Sequence, residues 1–128
     1  LDHTHYFKRT TVYKIEDSTV SLVDVHDNNT ITPLDPWMGA VIALADGQHS
    51  VAQLVQHMAG QYPEGAPDNL AATIESVIKR LTDSGVLALT PAPVTLPYYL
   101  NMPLDAQEPK LATELMINDG FLRPAGAP

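Results

Sequence analysis

A chain of 128 residues that is 45% hydrophobic can bury one ordinary core and has no room for a second full domain. Seven Lys and Arg against fifteen Asp and Glu give a formal charge of −8, which argues against a nucleic-acid partner, because phosphate backbones are held chiefly by clustered cations. The absence of cysteine excludes disulfides, thiolate nucleophiles, iron–sulfur clusters and the usual structural zinc sites.

In chain order, residues 1–10 are polar and mixed, with no apolar period, and are expected to form a mobile arm. Thr11–Ile15 and Thr19–Val25 are rich in β-branched residues, and Glu16-Asp17-Ser18 between them supplies turn chemistry, so the pair reads as a hairpin. A second turn at Asp27-Asn28-Asn29 leads into Thr30-Ile31-Thr32, a brief third strand that Pro33 cuts short because proline cannot donate to a ladder. Such a strand belongs at the edge of a three-stranded antiparallel sheet.

Helical punctuation follows. Asp35 suits an N-cap and Pro36 a first helical position, and Trp37, Met38, Val41, Ile42 and Leu44 recur at helical spacing until Asp46-Gly47. Ser50 and Gln53 make a capping-box pattern ahead of the stripe Val51, Leu54, Val55 and Met58. Asp68 is the expected cap of a third helix whose Leu70, Ile74, Val77, Ile78 and Leu81 share one face and which Gly85 stops. Val86–Leu89 is too short to be assigned by itself and is compatible with a small strand or wing. Seven of the eleven prolines lie from Pro91 onward, so residues 91–128 read as a largely extended, Pro-rich extension with one helix from Pro109 to about Asn118.

Nothing in these residues provides for catalysis. His3 and His5 lack a third metal ligand in register, and His26, His49 and His57 have no spacing that makes them converge. Glu16-Asp17 is turn material, no serine occupies a nucleophile elbow, and Gly39, Gly47, Gly60 and Gly65 do not assemble a phosphate loop. The chain is expected to be no enzyme and to carry neither metal nor cofactor.

The stretch from Ile31 through Asp46-Gly47-Gln48-His49-Ser50-Val51 to Val55, then Tyr62, then Arg80-Leu81 and Ser84-Gly85-Val86-Leu87, resembles the PqqD-like family of precursor-peptide recognition domains. The likeness covers about Val12 to Leu89. Asp35 stands where the family often has Asn, Trp37 is bulky for its place, and the segment after Thr90 has no counterpart. The resemblance implies an α+β, winged-helix-like domain over residues 11–90, a three-stranded antiparallel sheet followed by three helices. In such domains the leader of a ribosomally made peptide adds as a strand beside the third strand, with side chains directed toward the third helix. Carried onto this chain, the peptide-binding residues are Asn29, Thr30, Ile31 and Thr32 on the strand and Thr73, Ile74, Val77 and Arg80 on the helix. Lys79 and Arg80 read first as a solvated helix face near its C-terminus, where cations are favoured, with contact to acidic groups on a leader as the alternative.

The implied partners are a precursor peptide and a peptide-modifying enzyme of unspecified class; residues 91–128, to which the resemblance does not extend, are the candidate surface for contacting that enzyme. No membrane partner is expected, because no run approaches the roughly 20 apolar residues of a span and no basic-then-apolar signal opens the chain, which makes the cytoplasm the expected compartment. Two other classes share these features: a winged-helix DNA-binding regulator and a scaffold subunit of an enzyme complex. The first is opposed by charge, since Lys79 and Arg80 are the only basic residues between Asp35 and Leu89.

Overall fold

The computed structural model describes residues 2–123. Its elements in chain order are β1 (Tyr6–Arg9), β2 (Val12–Glu16), β3 (Thr19–Asp24), β4 (Thr30–Pro33), α1 (Pro36–Leu44), β5 (Asp46–Ser50), α2 (Val51–Ala59), α3 (Leu70–Asp83), β6 (Leu87–Thr90), α4 (Tyr98–Asn101), a 3-10 turn at Leu104–Ala106, and α5 (Pro109–Asn118). The class is α+β, as expected. One sheet followed by three helices is replaced by two antiparallel three-stranded sheets, β5-β1-β6 and β2-β3-β4, and by five α-helices among the described residues. The chain also divides differently from the expected boundaries at Thr10 and Thr90. One compact unit joins Leu1–Thr10 to Val41–Thr95, and the other joins Thr11–Ala40 to Leu96–Pro128.

The first unit corrects the expectation of a mobile arm. Residues 6–9 form the central strand of their sheet, pairing with β6 through Phe7↔Leu89 and Arg9↔Leu87 and with β5 through Tyr6↔Ser50 and Lys8↔Asp46. The inward positions of β1 are Phe7, fully buried, and Arg9, only 1% exposed. Arg9 is tolerated there because its Nη1 donates to the carbonyls of Ile42 and Ala43 at 2.9 and 3.1 Å. Those carbonyls lie in the last turn of α1, where backbone acceptors lack helical donors and a cation is favoured.

The N-terminus of α2 is satisfied just as fully. Val51 and Ala52 donate their N–H groups to the carbonyls of His5 and His3, and Gln53 donates to Ser50 Oγ. The Gln53 side chain accepts from Ser50 N–H in return, which completes the anticipated capping box. Asp46–Ser50, read from sequence as a turn between helices, is strand β5. Gly47 adopts φ +80°, and a Cβ there would meet the Val94 carbonyl oxygen at 2.6 Å, so only glycine lets residue 94 approach. On α3, Leu70, Ile74, Val77 and Ile78 are buried on one face, as their spacing requires. Its cap is Asn69 rather than Asp68, without a side-chain hydrogen bond.

The second unit is built on the expected hairpin. Asp17 and Ser18 both have positive φ, the conformation of a two-residue turn whose twist matches the flanking strands, and Glu16 pairs with Thr19 across it. The core of this unit joins Val12 and Val23 of the sheet to Leu96, Tyr99, Leu100, Ala112 and Met116. The Pro-rich segment is therefore structural and not a largely extended tail. Its α5 begins at Pro109, as expected, with Glu108 accepting from Lys110 and Leu111 N–H. After α5, Gly120 takes φ +75°, and Phe121 N–H returns to the Met116 carbonyl at 2.8 Å. That reversal sets the Phe121 ring 5.1 Å from Tyr99, whose hydroxyl donates to Asp119 Oδ2 at 2.9 Å.

Two outcomes test these cores. Replacing Arg9 with methionine keeps the apolar stem but takes the Arg9 donor from the Ala43 carbonyl and leaves the Ile42 carbonyl with Ala45 N–H alone, and is expected to cost about 1–3 kcal/mol in denaturant unfolding. Burial first, then the Asp119 hydrogen bond and charge, push the Tyr99 hydroxyl up to about 12. Because the unfolded phenol ionises near its ordinary value of about 10, stability from this group is complete below that pH and is lost as pH rises toward the folded value. Tyr99→Phe should remove that part of the alkaline slope and delete a phase near pH 12 from a tyrosinate absorbance titration.

Candidate functional site

The free edges of the β2-β3-β4 sheet follow from its register. Leu34 N–H donates to the Val20 carbonyl at 2.9 Å, which makes residues 20 and 34 a hydrogen-bonded pair. Antiparallel pairs alternate, so Thr30 and Thr32 also turn their backbone groups toward β3, whereas Ile31 and Pro33 turn theirs outward. The same alternation sends the backbone of Ser21 and Val23 toward β2 and leaves Tyr13 and Ile15 facing out on the opposite edge.

The two edges are treated differently. On the β2 side, the Asp105 carboxylate of the 3-10 turn accepts the outward Ile15 N–H at 3.2 Å. On the β4 side no described residue pairs with the outward face of Ile31 or Pro33. All four residues of β4 are exposed, and Ile31 is 48% exposed. Pro33 contributes no N–H, so the rim presents one outward donor, Ile31 N–H, and two outward acceptors, the carbonyls of Ile31 and Pro33. Side chains alternate as well. Ile31 pairs with Val23, which pairs with Val12, so an apolar row beginning in the core ends at the open rim.

The eight residues expected to bind peptide are distributed as follows. Thr30, Ile31 and Thr32 lie on β4, while Asn29 sits in the preceding turn at φ 58°. Thr73, Ile74, Val77 and Arg80 lie on α3 in the other unit. Ile74 and Val77 are core residues, 0% and 4% exposed, and Thr73 and Arg80 are exposed. Thr73 Oγ1 donates to the Asn69 carbonyl, and Lys79 pairs with Asp83 at 3.0 Å. The exposed face of α3 carries a shallow groove of about 550 Å³ lined by Ala72, Glu75, Ser76, Lys79 and Thr82, which are different residues from those expected.

His3 Nε2 lies 2.8 Å from Glu75 Oε1, and among the described residues no three His, Cys, Asp or Glu side chains are grouped to hold a metal ion. No helix among the described residues is long and apolar enough to cross a membrane. Sequence reasoning missed two contributors to the site. Asp105 takes up the outward Ile15 N–H on the competing edge, and nothing in its local sequence announces a partner 90 positions away. Pro33 was legible only as a strand breaker, although it is the last residue of the ladder and shapes what the rim offers.

No protein-family model matches the chain, and neither a curated protein nor a solved structure is significantly similar to it. The likeness to PqqD-like domains therefore rests on the residues quoted above.

The asymmetry of the edges has a direct readout in hydrogen exchange. The amide of Ile15, held by Asp105, and that of Thr32, held in the ladder, should be protected by at least about a hundredfold relative to the amide of Ile31. Asp105→Ala should remove the protection at Ile15 alone. Equal protection of Ile31 and Thr32 would contradict the register.

Proposed function

We propose that the chain is a non-catalytic peptide-binding module that receives the leader segment of a ribosomally made precursor as an added strand on β4. In the cytoplasm it would deliver that peptide to a separate modifying enzyme. The observation that carries this reading is the rim of β4, whose outward backbone groups no described residue pairs with, in a sheet whose other edge has its Ile15 N–H taken up by Asp105. A free ladder edge is a template for foreign chain, and proteins ordinarily cover such edges. Here the outward Ile15 amide of β2 is taken up by Asp105, whereas no described residue pairs with the outward groups of β4. The resemblance of the segment from Ile31 to Leu87 to peptide-recognition domains points to the same use.

Strand addition fits the geometry at β4. An incoming segment would accept from Ile31 N–H and donate to the carbonyls of Ile31 and Pro33, while its side chain opposite Ile31 extends the row Val12, Val23, Ile31. The helix residues Thr73, Ile74, Val77 and Arg80 are not needed for this pairing, and the reading rests on Thr30, Ile31, Thr32 and Pro33. Backbone bonds of about 0.5–1.5 kcal/mol each, set against an association cost of several kcal/mol, give modest affinity. Modest affinity suffices for a tether, because holding the leader beside an enzyme raises the effective concentration of the peptide to be modified.

Ile31→Pro tests the proposal at its only outward donor. Since that N–H does not belong to the β3–β4 ladder, the fold should persist by circular dichroism. Affinity for a leader peptide, read by fluorescence anisotropy, should fall about five- to tenfold, the size of one hydrogen bond. A proline in the pairing segment of the leader should have the same effect. Unchanged affinity in both cases would reject strand addition.

A further inference from the structure

The backbone bonds available at β4 are too few to hold a peptide alone, so the side chains around the rim must supply the rest of the binding and with it the selection. Those side chains have a marked charge bias. The unit that contains β4 carries three of the chain's seven Lys and Arg, namely Lys14, Lys110 and Arg123, but nine of its fifteen Asp and Glu. No Lys or Arg occurs between Lys14 and Lys79, and Lys14 is itself tied to Glu16 at 3.0 Å.

The acids nearest the rim are placed by the ladder. Asp24 pairs directly with Thr30, the Asp27 carboxylate lies 3.2 Å from Thr30 Oγ1, and Asp35 follows β4 by two residues. Asp24, Thr30 and Thr32 share one face of the sheet, and Val12, Val23 and Ile31 share the other. A strand added at β4 would therefore meet short polar side chains and carboxylates on one face and an apolar row on the opposite face. Asp24 would lie two strand spacings away, about 10 Å, which a Lys or Arg side chain can span across the short Thr30.

We propose that the segment received at β4 is a cationic, alternating peptide, with Val- or Ile-like side chains on the face of Ile31 and Lys or Arg on the face of Asp24. This refines the strand-addition reading and rests on it. It is opposite in charge to the alternative of an acidic leader at Lys79 and Arg80, which lie on α3 in the other unit, with Lys79 paired to Asp83. A second copy of the chain is disfavoured at this rim, because two units of the same strong negative charge would be brought edge to edge.

The test uses the full chain and three labelled probes of about seven residues, enough to span a strand of ordinary length. One alternates Lys with Val, one alternates Glu with Val, and the third is the Lys/Val peptide with alternate backbone nitrogens methylated. In low salt the Lys/Val peptide should bind at least about tenfold more tightly than the Glu/Val peptide, and the gap should close as salt is raised. Ile31→Thr should weaken Lys/Val binding about threefold, as expected for loss of a cross-strand apolar pair. Methylation should abolish binding.

If the Glu/Val peptide binds as well as the Lys/Val peptide, and the methylated Lys/Val peptide does not bind, the charge inference is overturned while strand addition stands. If methylation has no effect, strand addition itself fails. Concentration-dependent dimerisation of the chain alone, abolished by Ile31→Pro, would assign the rim to a second copy and overturn the proposal.

Discussion

An antiparallel sheet of three strands has two edges, and each edge must do something with the amides and carbonyls that alternate outward along it. In the β2-β3-β4 sheet the two edges are handled by different means. At β2 a carboxylate from a distant turn takes up the outward Ile15 N–H. At β4 brevity and Pro33 limit the outward groups to one donor and two acceptors. These devices lower the risk of uncontrolled pairing without removing the template, since a short edge interrupted by proline accepts a partner over only a few residues. Such an edge favours reversible engagement over aggregation, which is what a module that hands its ligand onward requires.

The covered edge depends on the C-terminal segment. Leu96, Tyr99, Leu100, Ala112 and Met116 complete the core begun by Val12 and Val23, and the same segment brings Asp105 to β2. Gln107 fixes the path between α4 and α5 by donating to the carbonyls of Tyr99 and Met102 at 3.0 and 2.8 Å. Without these residues the hairpin and β4 would be a three-stranded sheet with one face unsupported and both edges bare. The prolines do not prevent this role. Pro97, Pro103 and Pro109 stand at the starts of α4, the 3-10 turn and α5, where a missing N–H costs nothing.

Much of the local structure was legible because local rules governed it. The hairpin turn, the Asp35 cap whose carboxylate accepts from Met38 N–H, the Ser50–Gln53 box, the α3 stripe and the start of α5 are set by neighbours within a few residues. The missed elements are those fixed from far away. β1 has the period of a strand, but one of its two inward residues is Arg9, and an arginine satisfied by helix carbonyls 33 and 34 positions away reads as a surface residue. Asp46–Ser50 has the composition of a turn and becomes a strand only because β1 is beside it. The first unit is thus assembled around a strand whose core character is hidden by a charge.

The candidate site was legible in one half. Thr30, Ile31 and Thr32 form an exposed edge strand, a property visible from β-branched residues closed by proline, whereas the helix half of the expected groove contains Ile74 and Val77, which serve the core of a different unit. Without those helix residues, what selects the peptide changes. A groove floor would choose by shape, but the rim within its own unit offers the bonds of Ile31 and Pro33, the end of the apolar row at Ile31, and the surrounding field. Nine carboxylates against three cations make that field the longest-ranged of the three, acting over roughly a Debye length of about 8 Å at physiological salt. Charge would therefore govern which segments reach the rim, and register at Ile31 would govern which of them stay.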